Sequence, residues 1–320
     1  MDWHHLTTWI AGIAPPLGYL VQPAKRVFFL NLIAAVVLAL GWPAGCRGLR
    51  HRWRQLAGGE TWWTRSSWLD VQLLFINGWI AHALSLSRLA PTAFVAAATS
   101  TLLVGLFGQY HVGGSSLPMR IVVDGSYTLA LFVAGDASRF ALHRLMHSHP
   151  RLWRLHRVHH SAPTLTPLTV YRVHPLESLL YGIRGVLSAG LVTGTFFYLV
   201  GDQLRGYDVL GVNGLGFLFN LLGSNLRHSH VWISYGAGLE RFLISPAQHQ
   251  LHHAATFGNR AVNYGTCLAI WDRYGESWCA AHDARPPATG LADATREEQW
   301  SLRAALGAPR ALKASGGPRS

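Results

Sequence analysis

The stretch HRLMHSHPRLWRLHRVHH, His143–His160, carries six histidines in eighteen residues and lies between long apolar runs. Histidine titrates near neutrality and is the commonest metal ligand, so this density points to a metal, a proton path or ordinary packed side chains. Spacing separates these readings. His143 and His147 stand four apart, and His156, His159 and His160 read H-x-x-H-H. The same H-x-x-H-H returns at His249, His252 and His253. Residues three or four apart on a helix share a face, with β-carbons ~5–6 Å apart. Each motif can therefore place two imidazoles on one metal or one on each of two. Together the motifs supply eight nitrogens, more than one ion takes, and such a neutral set suits a pair of borderline transition metals such as iron or zinc. The scattered His4, His5, His51, His82, His111, His149 and His282 are read as ordinary hydrogen-bonded side chains.

Composition says where such a site sits. Of 320 residues, 50% are hydrophobic and 13% charged, against ~25% charged in soluble domains. Mean hydropathy is +0.19, and this is the composition of a membrane protein. The formal net charge of +12 comes largely from arginines between apolar runs, such as Arg47, Arg50, Arg52 and Arg54, or Arg144, Arg151, Arg154 and Arg157. Loops kept on the cytoplasmic side carry such an excess, so no nucleic-acid partner is expected. Cys46, Cys267 and Cys279 form no C-x-x-C pair, which argues against a disulfide framework, a zinc ribbon and a c-type haem site. The opening MDWHHLTTWIAGIAPP has no basic n-region, so a cleaved signal peptide is not expected.

A spanning helix needs ~20 mostly apolar residues. The candidates are Val27–Trp42, Trp68–Leu86, Thr92–Gln109, Tyr127–Leu142, Leu179–Val200 and Val209–Leu222. The last two are rich in glycine, which lets membrane helices pack closely. The expected fold is all-α, a multi-pass transmembrane helical bundle with a histidine-rich metal site at the cytosolic membrane face. Residues 1–120 are expected to form N-terminal transmembrane helices and residues 121–279 a histidine-box catalytic domain. Residues 280–320 are expected to be a polar, flexible tail with one short helix around Glu297 to Leu306. If the first four segments all span, Arg47 to Arg65 fall on the wrong side for the positive-inside trend. The alternative is that one early segment is re-entrant or interfacial. There is no H-E-x-x-H, no Glu-x-x-His pair and no glycine-rich dinucleotide loop, so electrons have to come from a partner.

The ordered set DASRFALHRLMH, LWRLHRVHH, YRVHPLE, SPAQHQLHH, NYG and WDR, from Asp136 to Arg273, resembles the fatty acid hydroxylase and sterol desaturase superfamily. The resemblance implies an integral-membrane, non-haem di-iron oxygenase that hydroxylates or desaturates a lipid, sterol-like or fatty-acyl. It implies O2 as cosubstrate and a separate electron-transfer protein of the reductase, ferredoxin or cytochrome b5 type. The implied cofactor is two iron ions, with zinc or another metal able to substitute in a purified sample. The implied ligands are His143, His147, His156, His159, His160, His249, His252 and His253. The family also uses a histidine some twenty residues before the last box, for which LRHSH offers His230, with His228 competing. His174 is a further ligand or a neighbour of the ligands.

Other residues stay open between two roles. Asp136 lies two helical turns before His143 and either orients a ligand imidazole or pairs with Arg139. Glu177, Asn263 and Asp272 are further candidates to support the ligands, and Arg172 and Arg273 either meet headgroups or pair with carboxylates. Phe140 and Ala141 replace the tyrosine-tryptophan pair of many members, and WDRYGESW departs from the usual ending; both bear on substrate. The implied location is the cytoplasmic membrane of a bacterium or the endoplasmic reticulum of a eukaryote. Competing readings are a carotenoid-type ring hydroxylase, a b-type haem protein, and a membrane metal transporter or metal sensor. Transporters place ligands on broken helices near the midplane, whereas these boxes sit at helix ends and in arginine-rich connections.

Overall fold

A computed structural model describes residues 15–42, 49–83, 89–110, 116–201, 204–209, 212–257 and 259–307. His4, His5 and His111 lie outside them. The chain is mostly helical, as expected. The main helices are α1 (Phe29–Gly41), α2 (Leu49–Ala57), α3 (Arg65–Ala83), α4 (Leu89–Phe107), α5 (Leu117–Ser148), α6 (Pro150–His160) and α7 (Pro175–Val200). Shorter ones follow: α8 (Gly214–Leu221), α9 (Pro246–His252), α10 (Ile270–Tyr274), α11 (Arg296–Trp300) and α12 (Leu302–Leu306).

Among the described residues three helices, α4, α5 and α7, are long and apolar enough to cross a membrane. Glycine sets their packing. A β-carbon at Gly190 of α7 would lie 2.6 Å from Val95 Cβ, and one at Gly194 would overlap the Ala96 carbonyl of α4. This is the small-xxx-small contact that brings two membrane helices close.

Three of the six expected spans are corrected. At ~1.5 Å per residue, α1 is about 20 Å long, short of the ~30 Å hydrocarbon core. It packs instead through Ala35 and Ala39 on Leu226 and Ile233. The described part of Trp68–Leu86, up to Ala83, falls in α3, whose inner face carries an ion pair. Asp70 and Arg172 are both fully buried, 3.1 Å apart, with Thr169 also donating to Asp70 at 2.7 Å. Leu69 and Leu73 of the same helix pack with Val158 and Ala305. In Val209–Leu222 the chain forms a short antiparallel pair, Asp208–Val209 with Val212–Asn213, and then the eight-residue α8.

Parts of the expected tail, within its described residues, dock on the rest of the chain. Ala281, Leu291 and Ala305 are buried, and the helix expected around Glu297 to Leu306 is the broken pair α11–α12. Arg157 Nη1 donates to both Asp293 carboxylate oxygens at 3.0 Å, and Nε meets Glu298 Oε1 at 3.3 Å. Arg172 Nη2 donates to the Gln299 carbonyl at 2.7 Å. The polar composition that reads as disorder supplies partners for buried arginines.

Removing one member of a buried pair strands the other charge, at a cost of about 3–5 kcal/mol. Asp70→Asn is expected to lower the thermal unfolding midpoint of detergent-solubilised protein by several degrees. Asp70→Asn combined with Arg172→Met is expected to recover some of that loss, read from the same melting curve.

Candidate metal centre

The boxes converge because of a proline. His149 is extended (φ −98°, ψ 121°) and Pro150 occupies the first turn of α6. Proline disfavours the helical conformation in the residue before it. Thus α5 ends at Ser148 and the chain turns directly into α6, folding His156, His159 and His160 back onto His143 and His147. The third box sits on α9, whose start is set by a capping box: Ser245 Oγ accepts from Gln248 N, and Gln248 Oε1 accepts from Ser245 N.

The ring nitrogens form two adjoining groups. Those of His143, His147, His156, His160 and His252 lie within 4.8 Å of one another, and those of His159, His228, His249 and His253 do the same. All nine residues are buried. Each H-x-x-H-H box is divided between the groups. Successive helical residues point ~100° apart (3.6 per turn), so the doubled histidine ending each box addresses two neighbouring points. His228 comes from a 3-10 turn, Ser224–His228, which stops there because Ser229 is extended (φ −153°, ψ 168°). His230 is carried out of both groups; the geometry favours His228 of the two candidates.

Hydrogen bonds decide which nitrogen of a ring faces inward. His143 Nδ1 lies 2.8 Å from the Tyr264 carbonyl oxygen and His252 Nδ1 2.8 Å from that of Val262. A carbonyl only accepts, so each Nδ1 carries the proton and Nε2 is a bare lone pair. His156 Nδ1 lies 2.7 Å from Glu177 Oε1, which leaves its Nε2 facing that of His143 at 3.1 Å. Two lone pairs at that distance repel, and a cation between them removes the repulsion. His252 Nε2 and both ring nitrogens of His253 are buried without a hydrogen-bond partner. In the second group the Nε2 atoms of His159 and His228 are 3.1 Å apart, and those of His228 and His249 are 3.0 Å apart.

A metal ~2.1 Å from each imidazole nitrogen sets cis ligands ~3 Å apart. The 3.0–3.1 Å contacts have that spacing, and an all-imidazole set suits a borderline transition metal. Each group could hold a metal ion. Burial pushes His156 and His159 down to about 3. It also holds His160, His228, His249, His252 and His253 well below the ordinary imidazole value, with neighbouring imidazoles adding to the effect. These rings are neutral at pH 7, the form that binds metal.

The remaining candidates stand behind the rings. Glu177 orients His156 directly. Asp136 pairs with neither an imidazole nor Arg139: it accepts from Cys267 N, Leu268 N and Trp271 Nε1, each at 2.9 Å. Asp272 accepts from Tyr264 N and Gly265 N at 2.7 Å. Asn263, left-handed at φ 55°, donates to the Gln248 and Cys279 carbonyls. Both hold the loop whose carbonyls pin His143 and His252. His174 is not in either group; its Nδ1 accepts from Leu176 N and caps α7. Arg172 pairs with Asp70, and Arg273 is exposed.

Sequence reasoning missed the Val262 and Tyr264 carbonyls, because a backbone acceptor has no residue-type signature. It also missed Trp153, buried with its ring 4.9 Å from His147 and 5.5 Å from His160. A cavity of about 320 Å³ reaches His143 and His156 of one group and His159, His228 and His249 of the other.

Residues 128–277 match the family model described as fatty acid hydroxylase. That segment contains all nine histidines, Glu177 and the 262–265 loop. Comparisons with curated proteins and with solved structures gave no match.

Outer partners of metal-bound histidines contribute about 10–100-fold to metal affinity. Glu177→Gln is expected to weaken binding by that factor in a chelator competition. His228→Ala is expected to lower metal content, whereas His230→Ala leaves it unchanged. The pH dependence follows from the depressed imidazole values. Between about 3 and 6.5 the unfolded chain binds protons that the folded, metal-free chain does not. Stability is therefore full above pH 6.5 and is lost as pH falls toward 3, which a denaturation series at several pH values reads directly.

Proposed function

We propose that this fatty acid hydroxylase domain, a member of the fatty acid hydroxylase/sterol desaturase superfamily, works as an integral-membrane, non-haem di-iron oxygenase acting on a lipid. The observation that carries the proposal is the pair of buried, neutral imidazole groups meeting at one cavity. When bound, iron supplies the O2 chemistry that breaks an unreactive C–H bond. In hydroxylation one oxygen atom enters that bond and the other leaves as water. In desaturation two hydrogens leave and both oxygen atoms end as water. Either course takes two electrons and two protons, and the electrons come from a separate protein of the reductase, ferredoxin or cytochrome b5 type.

The chain's own residues hold and shield the site. His143, His147, His156, His160 and His252 would hold one ion, and His159, His228, His249 and His253 the other. Tyr264, Val262 and Glu177 keep lone pairs aimed inward. Trp153 closes one side and keeps water from it, which strengthens electrostatic interactions inside. The cavity receives the reacting lipid carbon. Arg144 and Arg151, exposed at the α5–α6 turn, suit the cytosolic face, either of a bacterial cytoplasmic membrane or of the endoplasmic reticulum.

The test is metal content, optical spectrum and lipid products of protein purified from iron-supplemented cells, with O2 and a reductase added. Two irons per chain, no Soret band and a lipid gaining one oxygen or losing two hydrogens are expected. A Soret band, or product formation indifferent to iron, would overturn the proposal. His252→Ala is expected to insert into the membrane normally and to lose product formation at least a hundredfold; full activity would count against the assignment.

A further inference from the structure

The cavity facing the histidines is lined by Arg26, Arg139 and Arg227, with Lys25 and Arg184 beside them. The carboxylate in that lining is Glu177, already bound to His156 at 2.7 Å. Arg227 donates to the carbonyls of Ser224 and Thr266 and lies over the Phe219 ring. Arg139 lies 5.7 Å from the Tyr181 ring centroid. Among the described residues neither of them, nor Arg26, makes an ion pair with a carboxylate. Burial holds Arg26 well below its ordinary value, and repulsion from Arg227 and Arg139 adds to this.

Arg227 is buried and Arg26 and Arg139 are half-buried, and like charges gathered there without a counter-ion are costly. The guanidinium fork matches carboxylate and phosphate oxygens bidentately. A neutral sterol hydroxyl would leave most of this charge uncompensated, whereas an acidic head group would neutralise it. At about 320 Å³ the cavity is at the lower end of the ~300–1,000 Å³ range of ligand pockets. It takes a head group and the first chain carbons, and the rest of a long tail must run out of it.

Resting on the oxygenase reading above, we propose that the substrate is a lipid with an anionic head, a carboxylate or a phosphate monoester, seated on Arg26, Arg139 and Arg227. The carbon oxidised then lies near that head.

The test reads binding rather than turnover. Dodecyl phosphate, dodecanoate and dodecanol are titrated into the full chain in a neutral maltoside detergent, iron-loaded and metal-free, with intrinsic tryptophan fluorescence as signal. Either anionic probe is expected to bind at least tenfold more tightly than dodecanol. Arg26→Gln with Arg139→Gln is expected to lower the anionic affinity at least tenfold and leave that of dodecanol unchanged. Equal affinity for all three probes in the unmodified protein would overturn the proposal, and this comparison stands even if the double variant does not fold. Inorganic phosphate binding as tightly as dodecyl phosphate would also overturn it, by making a free anion the ligand. Head-group selectivity in a chain that holds no iron and makes no product would sink the oxygenase reading and leave an anionic-lipid binding site. An active oxygenase without selectivity would sink this inference alone.

Discussion

Burying nine imidazoles side by side is possible only if they stay uncharged and if their lone pairs are aimed rather than left to choose. Desolvation supplies the first condition, because a second proton on any of these rings would charge it among its neighbours without water. The second is met by acceptors on the outer side of the rings. A carbonyl behind His143, another behind His252 and the Glu177 carboxylate behind His156 each claim an Nδ1–H. What remains on the inner side is a set of nitrogen lone pairs that repel one another and attract a cation. The rest of the molecule keeps those acceptors in place.

That support is long-range. The loop at 262–265 is held by Asp272 and by Asn263, whose positive φ of 55° is a conformation that asparagine tolerates better than most residues. Asp136, about one turn past the middle of α5, gathers three N–H donors from 267–271 and so fastens that segment to the helix carrying His143. Behind α6, Arg157 and Arg172 tie the helix to α3 and to the C-terminal segment. The Asp136, Arg157 and Arg172 contacts to 267–271, Asp293, Glu298, Asp70 and Gln299 each join parts of the chain more than a hundred residues apart, whereas those of Asp272 and Asn263 are local.

How much of this is legible in the sequence follows from the same distinction. The three boxes announce themselves because a helix converts local spacing into a shared face. The divided allegiance of each box is also latent there, in the doubled histidine. His228 against His230 is not, since the choice depends on a 3-10 turn ending at one residue rather than two later. Apolar runs mark buried helices as readily as crossing ones, so Val27–Trp42 and Trp68–Leu86 read alike while α1 is too short and α3 carries a buried ion pair. The tail's polar composition hides a role for a related reason: nothing in it marks Asp293 and Glu298 as the partners of Arg157.

The C-terminal brace has a consequence for how the protein is made. Chains fold broadly from the N-terminus as they are synthesised, and residues 291–306 leave the ribosome after every histidine of the centre. Until they dock, Arg157 and Arg172 lack their last partners and α6 is held from one side only. The support behind α6 is therefore completed only after every histidine of the centre has been made. A transcript truncated just before Leu291 would encode every ligand and still leave Arg157 without Asp293 and Glu298 and Arg172 without the Gln299 carbonyl.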